Sequence, residues 1–130
     1  DAYIANMQDG CMAGFKYLLN FLKNEGFKVN EEDGHFSFKY QGSVYIAFKN
    51  DSPYLQIVMI CNTKSFMRNR LLDVCNEMNK DKFVIKFVVM DENVWCSYEF
   101  RPTEQTTSDE FETTLLLLDK ASDEMFEKLR

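Results

Sequence analysis

The sequence predicts an α+β domain: a single antiparallel sheet of five or six strands with three helices, in the order α-β-β-β(-β)-α-β-β-α. Three observations carry this. The stretch Phe83–Phe100, FVIKFVVMDENVWCSYEF, reads as two strands around a polar turn. Apolar residues recur at helical spacing over Gln8–Glu25, Ser65–Asn79 and Phe111–Leu129. Between the first two helices, residues 27–61 alternate with a period of two, punctuated by Gly, Asn, Asp and Pro.

The first helix carries Cys11, Met12, Phe15, Leu18, Leu19 and Leu22 on one stripe. Gly26 stands where a left-handed C-terminal cap belongs, so Phe27 can fold back onto Leu22. Residues 1–7 form either an extra turn or a frayed end. Phe27–Asn30 then pairs through Glu31-Glu32-Asp33-Gly34 with His35–Tyr40. Phe36, Phe38 and Tyr40 share a face with Val44, Ile46 and Phe48 if Gln41-Gly42-Ser43 is a three-residue connection, or a shorter one with a bulge. The loop Asn50-Asp51-Ser52-Pro53 is turn chemistry throughout. It sets Tyr45 opposite Val58 and Ala47 opposite Gln56, with Leu55, Ile57, Met59 and Cys61 facing the core.

Asn62, Thr63 or Ser65 caps a second helix with Phe66, Met67, Leu71, Val74, Cys75 and Met78 inward. In the hairpin that follows, the expected register sets Met90 opposite Trp95, Val88 opposite Ser97 and Lys86 opposite Glu99. That places Ile85, Phe87, Val89, Cys96, Tyr98 and Phe100 on one face and a cross-strand ion pair on the other. Arg101-Pro102 ends the strand. Thr107-Ser108-Asp109-Glu110 is a capping box that opens a long helix on Phe111, Leu115, Leu118, Met125 and Leu129.

At 130 residues the chain is expected to be one domain, residues 1–130, large enough to fold without staples. Its net charge of −6 repels a phosphate backbone, and Lys64, Arg68 and Arg70 are too few to form a basic stripe. No nucleic acid partner is expected. Nor is a membrane, because no run approaches ~18 apolar residues. Cys11, Cys61, Cys75 and Cys96 lack CxxC spacing and each falls at an apolar position. Reduced core thiols and a cytoplasmic location are the natural reading.

No residue is nominated as catalytic, cofactor-binding or metal-binding, and the chain is not expected to be an enzyme. His35 is the only histidine and alternates onto the polar side of a strand, away from any nucleophile pattern. Glu31, Glu32 and Asp33 are adjacent acids in a turn, which do not supply the spaced oxygens of a calcium loop. The phosphate-cradling patterns GxGxxG and GxxxxGK[ST] are absent.

The unusual feature is the second face of the sheet, which the expected registers leave half apolar and which carries the only Trp. A sheet covered on one side normally turns polar residues outward. Scattered surface hydrophobics, cover from the last helix, and a binding surface each account for it. On the third reading, Tyr45, Val58, Val84, Val88, Met90 and Trp95 form a partner-binding or homodimer patch.

The segments YLLNFLKNEGFKV, IAFKN…YLQIVM and LLDVCNEMNKDKFVIKFVVMDENVWCSYEF resemble the YbjN branch of the type III secretion chaperone-like fold. These are bacterial proteins described as sensory-transduction regulators. The resemblance spans roughly residues 15–129 and includes an asparagine phrase, Asn76-Glu77-Met78-Asn79, before the final strand pair. It implies a small cytoplasmic, non-enzymatic protein, chaperone-like or regulatory, that binds a protein client or peptide segment, often as a dimer. It transfers no functional residue. A small-molecule sensor or enzyme, with a pocket between sheet and helices, is the alternative from another class.

Overall fold

Two-residue turns set the registers of this sheet. The computed structural model describes residues 14–50, 52–103 and 105–130. The expectations for residues 1–13, among them Cys11 and Met12, and for Asp51 lie outside the described residues. Six strands form one antiparallel sheet: β1 (Val29–Glu32), β2 (His35–Tyr40), β3 (Ser43–Phe48), β4 (Leu55–Cys61), β5 (Ile85–Met90) and β6 (Asn93–Phe100). Their spatial order is β1-β2-β3-β4-β6-β5, so the last hairpin adds with β6 inside and β5 at the edge. The helices are α1 (residues 14–24), α2 (Arg68–Asp81) and α3 (Ser108–Leu129). Class and element order are as the sequence predicts.

Helix α1 ends as expected. Gly26 has φ 82°, the Phe27 N–H donates to the Leu22 carbonyl at 2.9 Å, and the Gly26 N–H donates to Lys23 at 3.1 Å. These are the two bonds of a Schellman cap. They tie Phe27 to the helix, and β1 starts at Val29, two residues later than expected. Thr107 caps α3 as predicted, its hydroxyl accepting from the Glu110 N–H at 3.2 Å. All five expected inward residues of α3 are buried. Helix α2 instead begins at Arg68 with no side-chain cap. Thr63 is not that cap: it is fully buried, and its hydroxyl donates to the Glu92 carbonyl at 2.9 Å, fixing the start of the helix against the β5–β6 turn. Met67, expected inward, is left 78% exposed just before the first turn.

The β2–β3 connection is two residues long, not three. Gln41 and Gly42 have φ 48° and 85°, the two positive values of a type I′ turn. Tyr40 therefore faces Ser43, Phe38 faces Tyr45 and Phe36 faces Ala47. A one-residue shift moves every side chain to the other face. Tyr45 and Ala47 are thus in the core, and Val44, Ile46 and Phe48 point outward, the reverse of the expectation. Two bonds to α3 hold that face: the Tyr45 hydroxyl donates to the Leu115 carbonyl at 2.8 Å, and the Ser43 hydroxyl donates to Asp119 at 2.7 Å.

The β3–β4 register moves by one with it, pairing Ile46 with Val58 and Ala47 with Ile57. In the last hairpin the turn is Asp91-Glu92, with Asp91 at φ 57°, and Met90 faces Asn93 rather than Trp95. This register differs from the expected one by two residues, so every side chain keeps its face. Lys86 now faces Ser97, yet its amine still reaches Glu99 diagonally at 2.7 Å.

All three helices lie on one side of the sheet. Phe36, Phe38, Ile57, Phe87 and Cys96 of the strands meet Leu18, Leu22, Met78, Leu115 and Leu118 of the helices, each almost wholly buried. An edge-on contact, Phe15 on Phe36, joins the layers, and a stacked one, Phe21 on Phe111, joins α1 to α3. Helix α3 therefore covers the aromatic face, and the reading in which it covered the other face does not hold. Among the described residues no helix is long and apolar enough to cross a membrane.

Candidate functional site

The outer face of the sheet is built in rows by the ladder. Ile60, Trp95 and Val88 are direct partners across β4, β6 and β5. Beside them run Ile46, Val58, Ser97 and Lys86, and then Phe48, Gln56 and Glu99. Phe48 and Trp95 come from strands on either side of β4, and their rings stack across it with centroids 5.6 Å apart and planes 8° from parallel. Val58 lies between them and is fully buried, although no helix among the described residues lies above it. His35 extends the aromatic row, its ring 5.7 Å from Phe48.

The two ends of this face differ. Toward the β5–β6 turn the surface is apolar: Val44, Ile60, Val88 and Met90 are each 37–49% exposed around Trp95. Toward the other end, four polar groups bond one another. Glu99 accepts from Lys86 at 2.7 Å, from Gln56 at 3.3 Å and from the Ser97 hydroxyl at 3.3 Å. The Lys86 bond, ahead of the others, holds the Glu99 carboxyl below the usual carboxylate range. This belt closes off the apolar platform. Each of the four groups has a partner within the belt.

Of the patch read from the sequence, Val58, Val88, Met90 and Trp95 share the outer face. Val58 serves as its floor rather than its surface. Tyr45 is on the opposite side, buried against α3, where burial and then the Asp119 carboxylate push its phenol well above its ordinary value. Val84 is not in the ladder. Its φ of 57° sets it just before β5, its carbonyl accepts from the Glu99 N–H, and it lies beyond the Lys86–Glu99 pair. Sequence reasoning missed Val44, Phe48 and Ile60. The signal that could have found Val44 and Phe48 is the Gln-Gly dipeptide at 41–42, which suits a two-residue hairpin turn.

The asparagine phrase also finds a role. The Asn79 side-chain amide accepts from the Phe87 N–H at 2.7 Å and donates to the Phe87 carbonyl at 2.9 Å. It occupies backbone groups on the free edge of β5, the place where a sheet would otherwise template another strand.

The grooves on the surface are open. One of about 400 Å³ lies on the β1–β3 side of the outer face, among Lys28, Asn30, Ser37, Lys39 and Val44. Another, about 340 Å³, lies where Tyr98 and Phe100 meet the first turns of α3. Among the described residues no three His, Cys, Asp or Glu side chains group as metal ligands.

Among the described residues, helices on one face of a six-stranded antiparallel sheet and an apolar platform left without cover on the other define an α+β domain. The solved structure of YbjN from E. coli, described as a candidate transcription regulator, has this fold. The two superpose with a TM-score of 0.59 over 86% of this chain and 87% of that one, at 10% sequence identity. The fold is YbjN-like, as the sequence resemblance implies. No protein-family model matches the chain, and no curated protein matches it in sequence.

Proposed function

We propose that this chain is a non-enzymatic binding module, chaperone-like or regulatory, that engages a protein partner through the apolar end of its outer sheet face. The observation that carries the reading is the Phe48–Trp95 stack over buried Val58, edged by exposed Val44, Ile60, Val88 and Met90. A sheet face that assembles its own aromatic floor and leaves aliphatic side chains around it has the pattern of an interface: an apolar centre with a polar rim. The Gln56–Ser97–Glu99–Lys86 belt supplies the rim on one side. The likeness in fold to YbjN, described as a candidate regulator, is in keeping with this role.

The net charge of −6 favours a protein over a nucleic acid. Free Cys61, Cys75 and Cys96 suit a reducing, cytoplasmic setting. A second copy of the chain is the first partner to test, because a symmetric dimer would bury both platforms at once. The test compares wild type with Val88→Glu by sedimentation at high micromolar concentration. Val88 is exposed, so the variant keeps its core. The reading expects a dimer that the charge dissociates. A monomeric wild type would hand the platform to a different protein, and a Val88→Glu dimer as tight as wild type would remove the platform from the association.

A further inference from the structure

Cys61 ends β4 and Cys96 lies in β6. The ladder pairs Cys61 with Val94 and Met59 with Cys96, so the two cysteines are diagonal neighbours on the core face. Their sulfurs are 3.7 Å apart, in van der Waals contact, with both residues buried. We infer that Cys61 and Cys96 form a dithiol site that takes a hydroperoxide and closes reversibly to a disulfide between β4 and β6.

The two thiols differ in exposure and in their surroundings. Cys61 is the entry point, since it keeps 6% of its surface open while Cys96 keeps none. The contact with the Cys96 sulfur lowers the Cys61 thiol, against the opposing effect of burial. The Cys96 thiol is raised by the same contact and by burial. Cys75, on α2, is pushed up to about 11 by burial and then by charge on Cys61, which makes it a poorer nucleophile than Cys61.

In the reaction, the Cys61 thiolate attacks the hydroperoxide and the O–O bond breaks. The sulfenic acid forms on Cys61, and the departing alkoxide takes up a proton as the alcohol. The Cys96 sulfur then attacks the sulfenic sulfur. The S–S bond forms, the S–O bond breaks, and hydroxide leaves with the Cys96 proton as water. Two thiols and one hydroperoxide become a disulfide, an alcohol and water. The sulfurs must close from 3.7 Å to about 2.05 Å, an approach of roughly 1.7 Å shared between side-chain rotation and shear of the two strands. Ile60 and Trp95, the residues just before the two cysteines, are direct partners on the outer face. Closure is therefore read at the Trp95 ring.

The experiment treats the folded full chain with stoichiometric hydrogen peroxide, then measures intact mass, the non-reducing peptide map and the thiol titre in denaturant. The expected result is a mass lower by two hydrogens, a Cys61–Cys96 linked peptide and a titre falling from four thiols to two. Trp95 emission should change in step, and dithiothreitol should reverse all of it. Cys75→Ser should leave the closure intact, and Cys96→Ser should stop at an oxygen adduct on Cys61. If Cys96→Ser does not fold, the wild-type map decides alone. Addition of oxygen without a cross-link, a link to Cys75 or Cys11, or a link between two chains would overturn the inference.

Discussion

Replacing Asn79 by Leu removes one device that closes the sheet edge while keeping the side chain's bulk. The wild-type amide makes two bonds to Phe87, at 2.7 and 2.9 Å, and among the described residues no strand lies on that side of β5. Each such bond contributes about 0.5–1.5 kcal/mol net. The site is only part-buried, so the freed N–H and C=O regain some water and the full desolvation penalty does not apply. The loss should therefore be about 1–3 kcal/mol. For a domain of this size that lowers the melting temperature by roughly 4–12 °C. Urea denaturation should show a lower midpoint at unchanged slope, because the surface exposed on unfolding is the same. Native-state hydrogen exchange should lose protection at the Phe87 amide, and the freed edge should raise the tendency to associate. Asn79→Asp, which keeps the acceptor and loses the donor, should fall between. A loss below about 0.5 kcal/mol, together with unaltered exchange at Phe87, would refute this account of the edge.

Tyr45→Phe should cost about 1 kcal/mol by removing the bond to Leu115. It should also flatten the alkaline limb of stability. The folded phenol lies above its ordinary value of 10.0, so its contribution is complete below pH 10 and declines as pH rises past it. Denaturant titrations of both forms from pH 7 to 11 check the sign, and equal alkaline slopes would count against the burial of Tyr45. Gln41→Asn should stabilise by roughly 0.5 kcal/mol, because Asn-Gly suits the two positive φ values of this turn better than Gln-Gly. A destabilised variant would argue for the longer connection and the opposite face of β3. Thr107→Ala should cost about 1 kcal/mol through loss of the α3 cap, measured as a shift in urea midpoint.

The elements were legible wherever one face of a segment was apolar and the other polar. Helix α3 and the end of α1 are such cases, since their stripes and caps leave one arrangement. Strand β3 is different. In Ser43–Phe48 the set Val44, Ile46, Phe48 and the set Tyr45, Ala47 are both apolar, because the outer face is apolar too. Periodicity then cannot say which set faces the core, and the decision passes to turn length. The hairpin Ile85–Phe100 tolerated a register error of two, since two residues restore every side chain to its face. Val84 misled for a local reason: a β-branched residue at positive φ is rare, and nothing in Phe83-Val84-Ile85 announces it. The Cys61–Cys96 contact depends on a diagonal across two strands far apart in sequence, so it follows only from the finished ladder.

The account's central claim is that the apolar end of the outer face is the surface that meets a partner. A photo-crosslinking side chain placed at Met90, on that platform, and separately at Leu117, on the outward side of α3, tests it most directly. The two positions are 42% and 44% exposed, so accessibility is matched. Each variant is irradiated in extract of its source cell, with purified wild-type chain added in parallel to reveal self-association. The account predicts a discrete crosslinked product from position 90 that Val88→Glu abolishes, and none from position 117. Equal labelling from both positions, or a product from position 117 alone, would contradict it.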